Sequence, residues 1–253
     1  MIPKFIFYIF GIDSFFCNKP FSYFHYLNIK SAAVTNPTYR IHIYFKHKPN
    51  SEWFDKLSEF CELIEIQEIF DDGIKFEYPE HIGDYLRLKM LYNTGGIYLD
   101  IDTICIRPFD DILNYECVMS KEYGIKDGEN QISLSGLCNA SILTSPKNYF
   151  INMWINDYKN NYKSEWNYNS VQMSYKLATQ YPSLIHVLPS SSFFKYSWDY
   201  EGRKQLFELE SDISDCYSIH LWEHRNFNIL NTYTQETIKN TNNTVCNIYK
   251  KII

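Results

Sequence analysis

The sequence predicts an α/β fold with a mostly parallel central sheet flanked by helices. Short apolar runs alternate along the chain with longer segments of helical periodicity, an order that is typical of doubly wound sheets. The first run, Phe5–Phe10, is continuously apolar, as expected for a parallel strand that is buried on both faces. The chain has 253 residues, of which 45% are hydrophobic, and this length suits one sizeable domain.

The elements of the first half follow from apolar periodicity, capping residues and glycine. An apolar helix over Ile82–Tyr92 ends at Asn93-Thr94-Gly95-Gly96, because glycine adopts the left-handed conformation that closes a helix. The other expected elements are a helix over Ser22–Val34 with Ser22 as N-cap, a strand over Arg40–Phe45, a helix over Glu52–Phe60 and a strand over Leu63–Ile69.

The second half is predicted to continue the alternation after Arg107-Pro108 ends the central strand. A terminal helix is expected within Thr234–Ile253, docked on the outside of the domain. The remaining elements are strands over Glu116–Ser120, Leu134–Thr144, Leu184–Leu188 and Tyr217–Ile219, helices over Asn148–Tyr162 and Ser170–Gln180, and a loop over Gly124–Ser133.

Between the apolar helix and Arg107-Pro108, the run Ile97–Asp102 carries two closely spaced carboxylates. Its odd-numbered residues are apolar and share one face of the predicted strand, whereas Tyr98, Asp100 and Asp102 share the other. Carboxylates at positions i and i+2 repel each other, and their burial without partners is expensive. A divalent cation such as Mg²⁺ or Mn²⁺ removes both problems, so this face is a candidate metal site.

The helix before this run contributes Asp84 and Arg87, which are three residues apart and therefore share a helical face. On so apolar a helix, this pair is either a buried ion pair or a set of ligand contacts. A D-x-D motif or an Asp/Arg pair alone is common. The order D-x-x-R, Gly-Gly, Y-x-D-x-D is much rarer, and it favours a binding site.

Two further groups of polar residues have two interpretations each. Asn139 lies within an apolar predicted strand, where its amide either bonds the neighbouring backbone or lines a site; the residues alone favour the backbone. The run from His220 to Arg225 contains Trp222 and Glu223 and follows the last predicted strand. It is either a wall of a site or a surface turn with a half-buried tryptophan.

Bulk properties exclude several classes of protein. The formal net charge of −6 argues against a nucleic-acid-binding protein, which needs a basic face. The seven cysteines are scattered without a C-x-x-C pair, which indicates reduced thiols in a cytoplasmic protein. The apolar run near the N-terminus is too short for a signal sequence, and no stretch approaches 18 uncharged apolar residues. We therefore expect a cytoplasmic chain without a transmembrane segment.

The central stretch resembles the sugar-binding region of glycosyltransferase family 32, in which a helix with H-x-x-D-x-x-R precedes G-G-I-Y-L-D-x-D. It is also similar to the glucosylating domains of large clostridial toxins. The close match covers about a tenth of the chain. The matching residues are His81, Asp84, Arg87, Gly95, Gly96, Tyr98, Asp100 and Asp102.

The resemblance implies a single GT-A type, Rossmann-like domain. Residues 1–110 would form the nucleotide-sugar-binding half, and residues 111–253 the acceptor-side half with a C-terminal metal and diphosphate wall. It also implies a metal-dependent, retaining enzyme that moves a sugar from a nucleotide diphosphate sugar, with UDP-sugars favoured, to a hydroxyl of a glycan acceptor. The pathway would be surface polysaccharide biosynthesis, and a lipid-linked acceptor would bring the protein to the membrane periphery.

Site roles follow from the same resemblance. The cation, Mn²⁺ or Mg²⁺, would be held by Asp100, Asp102 and either His220 or Glu223. Family members continue their C-terminal H-x-W motif with a serine, whereas this chain has Glu223-His224-Arg225, so that part of the pocket differs. The donor-binding or catalytic residues would be Phe10 and Gly11 near the base, Asp84, Arg87, Tyr98, Asp100, Asp102, Asn139 and Trp222.

Two other classes of protein stay open on the residues alone. A non-catalytic sugar- or metal-binding module would use the same carboxylates without turnover. An aspartate-nucleophile phosphatase is the third class, because Asp100-Ile101-Asp102-Thr103 after an apolar strand is similar to its motif. Such enzymes open the chain with that motif, and here Asp110-Asp111 follows too soon to supply their paired-acid loop.

Overall fold

The computed structural model describes residues 1–12, 20–68, 72–125 and 131–253. The strands are β1 Phe5–Phe10, β2 Arg40–Phe45, β3 Glu62–Glu65, β4 Gly96–Leu99, β5 Thr103–Cys105, β6 Cys117–Ile125, β7 Ile132–Leu137, β8 Ser141–Thr144, β9 His186–Leu188 and β10 Ser218–His220. The helices are α1 Tyr23–Thr35, α2 Glu52–Lys56, α3 Pro79–Thr94, α4 Tyr149–Asn161, α5 Met173–Gln180, α6 Tyr200–Phe207, α7 Glu223–Leu230, α8 Gln235–Asn240 and α9 Thr244–Tyr249.

Within the described ranges, a central eight-stranded sheet has the order β3-β2-β1-β4-β8-β6-β7, with β9 paired to β6. The strands β3, β2, β1 and β4 are mutually parallel, whereas β8 runs antiparallel to its neighbours β4 and β6. Apart from β8 and β7, the strands share one direction, so the predicted mostly parallel α/β sheet is confirmed. Strands β5 and β10 form a separate antiparallel pair.

The central sheet separates two hydrophobic cores. The even-numbered residues of β1, Ile6, Tyr8 and Phe10, pack in one core, whereas Phe5 and Phe7 pack in the other. Both faces of β1 are therefore buried, which explains why its sequence is continuously apolar. The predicted bounds of β1 and β2 agree with the structure, and α1 begins directly after its expected N-cap, Ser22.

The turn between α3 and β4 depends on two glycines. Gly95 ends the helix at φ +63°, and Gly96 begins the strand at φ +103°. A Cβ atom on Gly96 would lie 2.8 Å from the carbonyl oxygen of Phe5, so β4 approaches β1 too closely for any side chain there. This turn delivers the polypeptide from the apolar helix directly into the centre of the sheet.

Two predicted strands are corrected by the structure. The strand expected over Ile97–Asp102 ends at Leu99, and the residues from Asp100 onward form a turn in which the Thr103 N–H donates to the Asp100 carbonyl at 3.0 Å. The strand expected over Leu134–Thr144 is divided into β7 and β8. The turn between them contains Asn139, and its Ala140 carbonyl accepts a hydrogen bond from the Asp100 N–H at 2.8 Å. The two turns are therefore neighbours.

Other boundaries also differ from the expectation. Strand β6 extends to Ile125, into the expected loop, of which residues 126–130 lie outside the described ranges, as do Ile69 and Cys17. Helices α6 and α7 were not predicted from the sequence. The tail was expected to dock on the outside, but Tyr249 at the end of α9 is fully buried in the first core. None of the helices in the described ranges combines the length and apolar character needed to cross a membrane.

Replacing Gly96 with alanine should lower the free energy of unfolding by about 2–4 kcal/mol, because left-handed strain adds to the overlap with Phe5. The control is Gly73→Ala, since Gly73 has φ +81° but no described atom lies within 4 Å of its Cβ position. That change should cost only about 1–2 kcal/mol. Urea unfolding followed by circular dichroism measures both, and equal losses would contradict the packing argument.

Candidate active site

The carboxyl end of β4 carries a compact cluster of three potential metal ligands. Strand β10 pairs with β5 so that His220 lies opposite Thr103, and the Leu221 N–H donates to the Asp102 carbonyl at 2.9 Å. This pairing brings a residue from the C-terminal part of the chain to the turn that contains the D-x-D motif. One potential ligand atom each from Asp100, Asp102 and His220 lies within 4.8 Å of the other two.

The donor set of this cluster fits a divalent cation. The Nε2 atom of His220 lies 3.0 Å from Oδ1 of Asp102 and 3.8 Å from Oδ2 of Asp100. Two carboxylates and one imidazole suit Mn²⁺, and they leave coordination positions for phosphate oxygens and water. No described residue bonds the buried Nδ1 of His220, so the ring is held by its carboxylate contacts and by Trp222, whose ring centre is 4.2 Å away.

The electrostatics of His220 reflect the two neighbouring carboxylates. Burial alone lowers its pKa, but the attraction and hydrogen bond of Asp102, together with the charge of Asp100, raise the pKa above its ordinary value. A protonated His220 therefore balances the carboxylates when no other cation does. Because a metal ligand must be deprotonated, binding of a divalent ion would release that proton.

Helix α7 holds Asp102 through its first backbone N–H. The Glu223 N–H donates to Oδ2 of Asp102 at 2.7 Å, which places the carboxylate at the positive end of the helix. The Glu223 side chain points elsewhere, with Oε1 3.1 Å from Nε2 of His25. Since Nδ1 of His25 accepts the Ser22 N–H at 2.9 Å, its Nε2 carries the proton that Glu223 receives.

Asp84, Arg87 and Asn139 form a second buried group on the other side of Asp100. The Nη1 atom of Arg87 lies 2.9 Å from Oδ1 of Asp100 and donates to the Asn139 carbonyl at 2.9 Å. Nη2 of Arg87 lies 3.1 Å from Oδ1 of Asp84, which also accepts a 2.7 Å hydrogen bond from the Asn139 side chain. The Asn139 amide thus donates to the Asp84 carboxylate, whereas the residues alone favoured a bond to neighbouring backbone.

Burial changes the proton affinity of this second group. It raises the pKa of Asp84, and the charge of Arg87 and the hydrogen bond from Asn139 only partly oppose this effect. Arg87 is 8% exposed and keeps its charge because Asp100 and its other anionic neighbours outweigh the cost of burial. A buried, charged arginine fixed by two carboxylates is a preorganised partner for an anionic or polyhydroxylated ligand.

Tyr98 contacts both Arg87 and Asp100. Its ring is 3% exposed and lies 4.3 Å from the Arg87 guanidinium, and its hydroxyl donates to Oδ1 of Asp100 at 2.5 Å. Burial raises the pKa of Tyr98, so the hydroxyl stays protonated and available to donate. Tyr98 thus fixes Arg87 and Asp100 relative to each other.

Phe10 and Gly11 end β1, at the same edge of the sheet. The Phe10 ring packs in the core against Phe21 at 5.2 Å, whereas Gly11 has φ +61° and its carbonyl accepts the His47 N–H at 2.8 Å. A Cβ atom on Gly11 would overlap the His47 carbonyl oxygen, so only glycine fits here.

Trp222, which directly precedes α7, also has a positive φ, +54°, and its indole N–H donates to the Tyr196 carbonyl.

The backbone of the D-x-D turn is also held by hydrogen bonds that connect it to α1 and to the C-terminal helix, α9. The side-chain amide of Asn28 donates to the Ile101 carbonyl at 3.0 Å, and the Tyr249 hydroxyl donates to Oδ1 of Asn28 at 2.6 Å. Asn28 and Tyr249 are both fully buried. The backbone between the two motif aspartates is thereby held by residues from α1 and α9.

Sequence reasoning missed one carboxylate near this cluster, Glu122 on β6, which is 7% exposed. The signal was present, because Ser120, Glu122 and Gly124 alternate with larger residues and share one face of the strand. A lysine at position 121 and the short predicted strand concealed the pattern.

The sequence is similar to a family model and to known proteins. Residues 25–119 match the family model of the glycosyltransferase sugar-binding region containing the DXD motif. The chain is 28% identical over 252 residues to glucan organizing enzyme 1 of Cryptococcus neoformans var. grubii serotype A, a match covering 96% of this chain and 68% of that protein. It is 28% identical over 114 residues to a mannosyl phosphorylinositol ceramide synthase of Saccharomyces cerevisiae, covering 45% of this chain and 27% of that protein.

Solved structures share the fold at low sequence identity. The apo form of the glycosyltransferase GlyE of Streptococcus pneumoniae TIGR4 aligns with a TM-score of 0.55 and 13% identity, covering 100% of this chain and 60% of that one. The galactosyltransferase LgtC, in complex with donor and acceptor sugar analogues, aligns with a TM-score of 0.50 and 14% identity, covering 93% and 99%. These comparisons confirm the predicted GT-A fold and the resemblance to family 32 type glycosyltransferases.

Metal titration separates the two candidates for the third ligand. His220→Ala should weaken Mn²⁺ binding by at least about tenfold, because it removes a ligand atom from the cluster. Glu223→Gln should leave the affinity nearly unchanged, since glutamine keeps the backbone N–H to Asp102 and an oxygen that accepts from His25. Isothermal titration calorimetry with Mn²⁺ measures both variants, and the reverse order of affinities would assign Glu223 as the ligand.

Proposed function

We propose that this chain, with its GT-A fold and DXD sugar-binding region, transfers a sugar from a nucleotide diphosphate sugar to a hydroxyl of a glycan acceptor, with the help of a divalent cation. The observation that carries the proposal is the convergence of Asp100, Asp102 and His220 directly beside the buried group of Asp84, Arg87 and Asn139. One cluster suits a cation with a diphosphate, and the other suits the hydroxyls of a sugar.

The proposed cofactor is Mn²⁺, with Mg²⁺ as the alternative, held by Asp100, Asp102 and His220. When bound, such an ion would neutralise the charge that develops on the departing diphosphate. Glu223 would support this centre through its backbone N–H to Asp102, and its carboxylate stays with His25. The imidazole ligand favours Mn²⁺ over Mg²⁺, which prefers oxygen ligands.

The donor is proposed to lie across the carboxyl ends of β1 and β4. Gly11 and Phe10 would border the base, and Asp100 the ribose, since ligands of open α/β sheets bind at strand ends. Asp84 and Asn139 would bind hydroxyls of the transferred sugar, and Arg87 would bind the sugar or the diphosphate. Residues 1–110 would then form the donor half, and residues 111–253 the acceptor half and the wall around Trp222.

In the proposed reaction, the bond from the anomeric carbon to the phosphate oxygen breaks, and a bond to the acceptor oxygen forms. The acceptor proton leaves with the nucleoside diphosphate, so atoms and charge balance. We propose retention of configuration because the resemblance to family 32 implies it, and front-face attack because the sequence has no obvious enzymic nucleophile beside the motif. A β-linked product from an α-linked donor, identified by NMR, would overturn retention.

The choice of donor and pathway rests on resemblance. UDP-sugars are proposed first, and the mannosyl product named for the yeast relative adds GDP-mannose to the donors worth testing. The proposed pathway is surface polysaccharide or other glycan synthesis from the cytoplasmic side, where a lipid-linked acceptor would bring the protein to a membrane surface. The name of the Cryptococcus relative likewise refers to a glucan.

The proposed activity is tested by nucleotide release from a panel of UDP- and GDP-sugars with Mn²⁺, Mg²⁺ or EDTA. Release from one donor should require the metal and should fall by about 100-fold or more in Asp102→Ala, because a ligand to the cation is lost. The control is Asp55→Ala, which removes an exposed carboxylate that pairs with Lys48 away from the cluster.

Other outcomes of this assay identify the alternative classes. Intact metal binding without release from any donor would indicate a non-catalytic sugar- or metal-binding module. Phosphate release from a simple phosphomonoester, lost in Asp100→Asn, would indicate an aspartate-nucleophile phosphatase.

A further inference from the structure

Glu122 is a buried carboxylate that the proposed donor chemistry does not use. It lies on β6 and is 7% exposed, and the polar neighbours that lower its pKa are Cys138, Trp198 and Ser135. All three are neutral groups. Burial raises the pKa of Glu122, and these neighbours and the charge of His220 oppose the effect. A carboxylate held in this way costs stability, which favours a function that requires it.

The strand pairing beside Glu122 is irregular, because β7 has one extra residue, Ser135, between the partners of Glu122 and Tyr123. The pairing of β6 with β7 shifts register between Glu122 and Tyr123, which is the signature of a β-bulge. Bulges redirect side chains and are frequent beside active sites. The residue opposite Glu122 is Gly136, at φ +150°, where a Cβ atom would overlap the Val171 carbonyl oxygen. The strand pair therefore depends on glycine directly opposite Glu122, next to the bulged residue Ser135 of β7.

Trp198 covers the same part of β6. A Cβ atom on Gly124 would lie 2.7 Å from its indole ring, so only glycine lets the ring rest on the strand. The side chain of Trp198 is half-buried, and the Arg225 guanidinium lies 5.3 Å from the ring centre. The indole thus rests on the strand and beside Arg225, and part of its surface stays open to solvent.

The segment that leads to Trp198 lies on the His220 side of the cation cluster. The ring centres of Phe194 and His220 are 6.0 Å apart, and the Tyr196 carbonyl accepts the indole N–H of Trp222 at 2.8 Å. Cys138, a neighbour of Glu122, directly precedes Asn139, and Arg225 follows Glu223 by two residues on α7. Arg87, in contrast, pairs with Oδ1 of Asp100 and with Asp84, whereas His220 faces Oδ2 of Asp100. The cluster therefore has the donor-sugar group on one side and Glu122 with Trp198 on the other.

We propose that Glu122 and Trp198 form the subsite that binds the acceptor, and that the acceptor residue bound there is a pyranose sugar. The open part of the indole offers an apolar surface to the C–H groups of a sugar ring, and the carboxylate accepts a hydrogen bond from a sugar hydroxyl. This inference rests on the proposed function, since it divides the same site into a donor side and an acceptor side.

The test compares transfer with donor hydrolysis, using the donor found in the release assay and a panel of p-nitrophenyl hexopyranosides as acceptors. Glu122→Gln should lower kcat/KM for the acceptor by about tenfold or more, because a charged hydrogen bond becomes a neutral one. Hydrolysis of the donor in the absence of acceptor should stay near the wild-type rate. A parallel loss of both reactions would overturn the proposal, since Glu122 would then act on the cation or the donor.

Trp198→Ala should raise KM for the acceptor and leave KM for the donor unchanged. The matched control is Trp53→Ala, because Trp53 is also half-buried beneath a cation, Lys56 at 4.2 Å, but packs between α1 and α2. The control should leave both KM values near wild type. Equal effects of the two tryptophan variants would overturn the subsite, since a general loss of packing would explain them.

A binding measurement keeps the inference separate from the catalytic proposal. Saturation-transfer difference NMR with methyl hexopyranosides should show contact with wild-type protein, and this contact should be weakened in Trp198→Ala but not in Trp53→Ala. If no donor is ever turned over, the proposed function fails, and this measurement still decides the subsite. Glycoside contact that is the same in all three proteins would overturn it.

Discussion

The turn after β4 places a half-buried carboxylate, Asp100, close to a buried one, Asp102, and the surrounding residues compensate the repulsion between them. Arg87 pairs with one oxygen of Asp100, and His220 faces its other oxygen and Asp102. The first backbone N–H of α7, at the positive end of the helix dipole, is the third partner and donates to Asp102. Without these partners the turn would be an isolated anionic centre inside the domain, which burial strongly disfavours.

These partners come from distant parts of the chain, so the long-range topology is a consequence of the same constraint. The pairing of β10 with β5 delivers His220, and the left-handed backbone at Trp222 begins α7 so that its N-terminus points at Asp102. The amide of Asn28 holds the carbonyl between the two aspartates, and Tyr249 holds Asn28. The C-terminal helix is thus a structural support of the motif turn, which explains why it is buried.

The sequence predicted the elements whose signals are local, such as the apolar run of β1, the N-cap of α1 and the glycines after α3. The predictions from the sequence were wrong where one residue pattern fits two structures. Alternation of apolar and polar residues continues from Ile97 through Asp102, so period alone cannot show that the strand ends at Leu99. Asn139 and Glu122 were harder, because their meaning depends on partners that tertiary structure supplies, Asp84 for one and Trp198 for the other.

Asp100 connects the two halves of the site. Its Oδ1 belongs to Arg87 and Tyr98, and its Oδ2 faces His220, so each oxygen serves a different group. A cation that replaced the His220 proton would change the charge on one side of this carboxylate while Arg87 and Tyr98 keep the other side fixed. Because the aspartate is already held in place, a cation would meet ordered oxygens and lose little energy in arranging them. The group of Asp84, Arg87 and Asn139 is therefore linked to one oxygen of Asp100, and the candidate cation cluster to the other.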